Sequence, residues 1–116
     1  MSVEGRATTW LSDLLAVLDQ ANELVVRGHA AFLADPALPL AFEALVNRVG
    51  DLSKRLVATD PQRFSHPVWR AAARTRDFVV HHYDRVDLDL LWQTVAVSFP
   101  QLREERGSAS APGPPL

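Results

Sequence analysis

Apolar residues recur three and four positions apart along most of this chain, the spacing of one face of an α-helix. Between Thr8 and Arg27 they fall at Leu11, Leu14, Leu15, Leu18, Ala21 and Val25, with no proline or glycine among them, which predicts one long helix. Gly28 is its natural stop. The run from His29 to Leu33 has the composition to add one or two turns, and Asp35-Pro36 then ends any helix, because a residue before proline is driven out of the helical region. Two prolines within Asp35 to Pro39 predict a linker.

The same spacing predicts a second helix over Leu40 to Ala58, with Phe42, Leu45, Val46, Val49, Leu52 and Leu56 on one face and Glu43, Arg48, Lys54 and Arg55 off it. Gly50 interrupts it. A helical glycine costs roughly 1 kcal/mol against alanine, so it reads either as a point of close approach for a neighbouring helix or as a tolerated lapse. Thr59-Asp60-Pro61 breaks the pattern, and Asp60 to His66 reads as a polar connection with room for one short turn.

A third helix opens near Ser65 or His66, with Pro67 as an early helical residue that needs no amide partner, and runs through Tyr83. Trp69, Ala72, Ala73, Arg76, Val80 and Tyr83 share one side, while Phe78 and Val79 point elsewhere, so the helix has two faces to bury. Asp87 caps a fourth helix carrying Leu88, Leu91, Trp92, Val95 and Phe99, and Pro100 makes it kink or restart towards Arg106. Gly107 to Leu116 holds almost nothing to pack and reads as a disordered tail.

No internal repeat and no strand-like alternation is visible. The expected fold is all-α, an antiparallel bundle of four to five helices over residues 8–106, with tails at 1–7 and 107–116. At 116 residues and 47% hydrophobic content the chain covers one core. It contains no cysteine, which excludes disulfides, thiolate metal sites and a nucleophilic thiol. No stretch has the apolar length of a membrane span and no secretory h-region opens the chain, so the expectation is a soluble, cytoplasmic protein without membrane contact.

Net charge is −2, which by itself disfavours a nucleic-acid partner, but the charge is uneven. Residues 54–85 hold seven Lys and Arg against three Asp, together with His66, His81 and His82. Either this is a solvated helix face or it is where an anionic substrate binds. Within it, Arg76-Asp77-Phe78-Val79-Val80-His81-His82-Tyr83 gathers a permanent cation, an imidazole and a phenol within two turns. Cleaving a phosphodiester needs those groups: a guanidinium forks onto phosphate oxygens, and an imidazole takes a proton from a ribose 2′-hydroxyl or gives one to the leaving oxygen. On residue types alone a structural reading stands beside it, with Arg76 paired to Asp77 or Asp51, His81 capping or packing, and Tyr83 in the core.

The stretch resembles the Arg-x4-His-x-Tyr motif of the HepT-like branch of the HEPN superfamily. Ala31-Phe-Leu-Ala-Asp, the helix with Val49-Gly50-Asp51, Pro67-Val-Trp-Arg, the run Val86-Asp-Leu-Asp-Leu-Leu-Trp-Gln-Thr-Val and Phe99-Pro-Gln-Leu are similar to that family in the same order. The resemblance covers about residues 10–104. It implies a homodimeric, metal-independent RNA endonuclease toxin paired with an MNT-type nucleotidyltransferase antitoxin. It further implies that Arg76 and His81 are the catalytic pair, and that Tyr83 is the tyrosine to which the antitoxin adds AMP from ATP, placing bulk and negative charge beside that pair. Asp77 stands where the family commonly has Asn, and Asp51 where it usually has Glu. Both are candidate supporting residues, and Asp77 is placed to weaken the hold of Arg76 on phosphate.

On a regular helix Arg76 and His81 lie about 140° apart and roughly 7.5 Å along the axis, an awkward site for one chain. Packing two copies across a two-fold axis brings both pairs to one cleft. Arg76 and Tyr83 fall within about 20° of each other. The adjacent His81 and His82 diverge by about 100° with no third ligand at a suitable spacing, so neither a metal nor another cofactor is expected. His29 and His66 read as surface or joint residues. A second function stays open: a non-catalytic HEPN dimer that binds or regulates a nucleotidyltransferase, favoured by Asp77 and the net acidity.

Overall fold

The computed structural model describes residues 2–80 and 87–110, the stretches 75–80 and 106–110 by their backbone alone. All its regular elements are helical: α1 (Val3–Val25), α2 (His29–Ala34), α3 (Ala37–Thr59), α4 (Pro67–Val80), α5 (Leu88–Gln93), a π-helical turn (Thr94–Ser98) and α6 (Phe99–Ser110). The all-α bundle expected from the spacing of apolar residues is what forms. The face read for the first helix packs inward at Leu11, Leu14, Leu18 and Ala21, and all six residues read on the second are buried.

Several boundaries differ from the sequence expectation, each for a local reason. The Ser2 side chain accepts from the Gly5 amide at 3.0 Å, so α1 starts at Val3 and carries Ala7, fully buried, out of the expected tail. Asp35 to Pro39 is not a linker. The Asp35 carboxylate accepts from the Ala37 amide at 3.0 Å, and both prolines fall where α3 begins, where a missing N–H leaves no gap in the ladder. At the other end α6 stays helical through Ser110, so 107–110 are not the start of a disordered tail; residues 111–116 lie outside the described residues.

Gly28 separates α1 from α2 with φ 95° and ψ 159°, a backbone region open essentially to glycine alone. That turn lets α2 fold back over α3. Phe32, Phe42 and Trp92 then meet with ring centroids 4.8 to 5.9 Å apart, and His29 lies 4.9 Å from Trp92. This aromatic cluster joins α2, α3 and α5. His29 is an exposed joint residue, in keeping with its expected place.

Helix α3 is the central element, packed between α1 and α4, and the run from α5 to α6 closes the bundle against α1, α3 and α4. Asp87 caps α5 as expected, accepting from the Leu90 amide at 3.0 Å. The π-helical turn follows, with the Phe99 amide bonded to the Thr94 carbonyl. It precedes Pro100, whose ring in a regular α-helix clashes with the carbonyl four residues back; the extra residue per turn relieves that clash and lets α6 continue. Arg103 pairs with Asp19, fastening α6 to α1. No described helix is long and apolar enough to cross a membrane.

Candidate functional site

The motif stretch begins on α4, so the placement of its first residues follows from what sets the register of that helix. His66 starts it. Its Nδ1 accepts from the Val68 amide at 3.1 Å and its carbonyl from the Trp69 amide at 3.1 Å, while Nε2 stands 3.7 Å from Glu105 on α6. His66 is thus a joint residue with a definite task. Pro67 follows as the first helical residue, where its fixed φ suits the helix.

Trp69 then locks the rotation. Its indole is buried against Phe64, ring edge to ring face with centroids 5.0 Å apart. Phe64 belongs to a single turn closed by its amide on the Asp60 carbonyl (3.1 Å) and by the Asp60 carboxylate on the Arg63 amide (3.2 Å). The connection expected to be merely polar therefore contributes a fully buried ring.

With Trp69 facing inward, position 76 falls seven residues later and within about 20° of it around the axis, on the same stripe of α4. Positions 70 and 74 lie off that stripe and are exposed. Arg76 and Asp77 are described by backbone alone, while His81, His82 and Tyr83 lie outside the described residues. The structure accordingly gives the platform for the motif and no distances within it.

On the facing helix, Lys54, Val57 and Ala58 share a groove with Arg70, Ala73 and Arg74. Because α3 and α4 run antiparallel through a short connection, one further turn along α3 towards its start brings Asp51 level with positions 76 and 77. Asp51 is half-buried. Gly50 beside it is buried, consistent with close helix approach at that level. Ser53 is also fully buried, and among the described residues its hydroxyl has no hydrogen-bond partner.

Among the concave surfaces of the bundle are two that sequence reading did not outline. The groove just described measures ≈360 Å³. A second cavity of ≈190 Å³ lies between α1 and the π-helical turn, with Asn22 and the Asp19 and Arg103 pair among its lining. The first had a sequence signal, the charge excess of residues 54–85; the second had none beyond Pro100. Among the described residues no group of three or more His, Asp or Glu is placed to hold a metal ion.

Comparison with known proteins adds a family. The family model described as Ribonuclease HepT-like matches residues 14–108. The probable ribonuclease HepT of Thermococcus cleftensis is 36% identical over 74 residues, 62% of this chain and 66% of its own. A protein of Caldanaerobacter subterraneus, provisionally named an RNase, is 28% identical over 74 residues, 64% of this chain and 66% of its own. Another of Methanocaldococcus jannaschii, named in the same way, is 23% identical over 97 residues, 83% of this chain and 84% of its own. The chain thus spans just under two thirds of the length of the Thermococcus and Caldanaerobacter proteins. No solved structure matches it.

Proposed function

Because this chain belongs to the HepT-like ribonuclease family, we propose that it is a metal-independent RNA endonuclease, the toxin of a HEPN/MNT pair, acting as a homodimer. The observation that carries the reading is the Arg76, His81 and Tyr83 spacing, which lies inside the matched segment and begins on the inward stripe of α4 fixed by Trp69.

In this reading the Arg76 guanidinium forks onto the non-bridging oxygens of the scissile phosphate and offsets the charge that builds there. His81 moves the proton. It accepts one from the ribose 2′-hydroxyl as that oxygen attacks phosphorus, or returns one to the departing 5′-oxygen. The products are a 2′,3′-cyclic phosphate and a free 5′-hydroxyl. Arg76 and His81 point about 140° apart on a regular helix, so a second copy of α4 across a two-fold axis completes the cleft with its own pair. Asp77 and Asp51 are the acids nearest the guanidinium in sequence and in level, and they hold it in place between turnovers.

Control falls to the antitoxin, a small nucleotidyltransferase. The Tyr83 oxygen attacks the α-phosphorus of ATP, pyrophosphate leaves, and the phenol proton goes to solvent. The AMP ester left behind occupies the cleft and repels the RNA backbone.

A second reading keeps the dimer and its transferase partner but not the chemistry. Asp77, where the family commonly has Asn, and the net charge of −2 favour it. RNA cleavage in EDTA by the wild-type protein and by His81→Ala, with end-group analysis of the products, separates the two. Cleavage that survives the chelator, leaves cyclic phosphate ends and is lost in the variant supports the nuclease. Absence of cleavage by protein whose intact mass shows no added AMP favours the binding module.

A further inference from the structure

The seven basic residues of 54–85 do not act as one patch, because the fold sorts them. Arg55 lies over the Trp10 ring at 6.0 Å and Arg63 over Phe64 at 5.4 Å, so both have aromatic partners. Arg76 and Arg85 belong to the motif stretch and its end. The three that remain, Lys54, Arg70 and Arg74, are all exposed, and among the described residues none has an ion-pair partner.

These three line one groove. It measures ≈360 Å³, lies between α3 and α4, and has Val57, Ala58 and Ala73 as an apolar floor. Arg70 and Arg74 are four residues apart, hence on one face of α4 with about 6 Å between them along the axis, and Lys54 joins them from α3. Three cations held together with no ion-pair partner among the described residues repel one another, and a bound polyanion relieves that repulsion while releasing its own counterions.

We propose that the groove formed by Lys54, Arg70 and Arg74 binds the phosphodiester backbone of single-stranded RNA outside the cleavage centre. The inference rests on the ribonuclease reading above. Arginine forks match phosphate oxygens, and the apolar floor accepts the ribose or base face that a single strand exposes. A folded acidic protein fits less well, since stable interfaces bury roughly 800 Å² on each partner, far more than a groove lined by six residues offers. Position 76 lies about 200° around α4 from Arg74, so the groove holds a flanking segment of the strand and not the scissile phosphate.

The test uses the full-length chain carrying His81→Ala, so that RNA stays intact, and a labelled single-stranded RNA of about twenty nucleotides. Its affinity is measured across a salt series with and without Lys54→Gln, Arg70→Gln and Arg74→Gln combined. The expected result is binding weakened about tenfold or more at low salt, with the slope of log affinity against log salt reduced by about 2, at about 0.7 per lost contact. The charge-conserving set Lys54→Arg, Arg70→Lys and Arg74→Lys should restore the slope, and thermal unfolding by circular dichroism verifies that each variant folds. Should the triple variant not fold, Arg74→Gln alone should still lower the slope by about 0.7. Equal affinity and slope in parent and triple variant overturn the inference while leaving the ribonuclease reading intact, and assign the groove to an acidic protein partner instead. Failure of the His81→Ala parent itself to bind RNA overturns both.

Discussion

The Trp69 indole meets the Phe64 ring edge to face at 5.0 Å, and both side chains are sealed from solvent. This contact clamps the start of α4 to the turn before it and so fixes which stripe of the helix Arg76 occupies. Removing the Phe64 ring opens a cavity beneath Trp69, and such truncations cost about 3–5 kcal/mol. Phe64→Ala should therefore lower unfolding free energy by that amount in urea titrations and reduce RNA cleavage with it, whereas Phe64→Leu should retain most of both. A loss under about 1 kcal/mol in the alanine variant would show that α4 takes its register from elsewhere.

Gly28 carries a purely conformational cost. Its φ of 95° and ψ of 159° lie in a region L-residues rarely enter, yet an added Cβ would meet nothing within 4 Å. Gly28→Ala should thus destabilise by about 1–3 kcal/mol with no steric component. A D-alanine introduced by chemical ligation, which favours positive φ, should recover nearly all of it, and equal destabilisation by both enantiomers would point to a hidden clash.

What could be read from the sequence follows the physical range of each signal. Helix interiors were legible because a buried face repeats every 3.6 residues, and Phe42, Leu45, Val46, Val49, Leu52 and Leu56 all pack inward as spaced. The Asp87 cap was legible because its signature is local. Pro36 and Pro39 misled, since proline breaks a helix interior but opens a helix readily, and the Asp35 side chain that settles the matter bonds two residues ahead. Phe64 was missed as a lone apolar residue in a polar turn, with no period to mark it. The π-helical turn was announced only by Pro100. For the site, the residue types of Arg76 to Tyr83 left a structural reading open, and it was the family resemblance that pointed to a chemistry. The Lys54, Arg70 and Arg74 groove was legible only as a charge excess over residues 54–85, because its shape exists only once α3 lies against α4.

Ser53 is fully buried in the middle of α3, and among the described residues its hydroxyl has no partner. An unsatisfied buried polar group costs about 1–3 kcal/mol, and alanine removes it with little loss of volume and better helix propensity. Ser53→Ala should raise the unfolding free energy by about 1 kcal/mol. Thermal unfolding checks the sign. A lower Tm would mean the hydroxyl finds a partner in solution, and because Ser53 lies two residues from Asp51, RNA cleavage by that variant would then report whether the partner serves the motif.

Tyr83 gives the sharpest test of how the protein is controlled, because AMP transfer needs the phenol oxygen and cleavage, in the reading proposed, does not. Phenylalanine removes that oxygen and keeps the ring. The Tyr83→Phe protein should cleave RNA within a few-fold of wild type, about 1 kcal/mol or less in transition-state terms. Incubated with ATP and its cognate nucleotidyltransferase, the wild-type chain should gain the mass of one AMP and lose activity in step, while the variant should gain no mass and stay active. Undiminished labelling of the variant would move the modification to another side chain. A variant that stays unlabelled yet is still silenced by the transferase would assign inhibition to physical burial of the cleft, since repulsion by the ester requires an ester to be present.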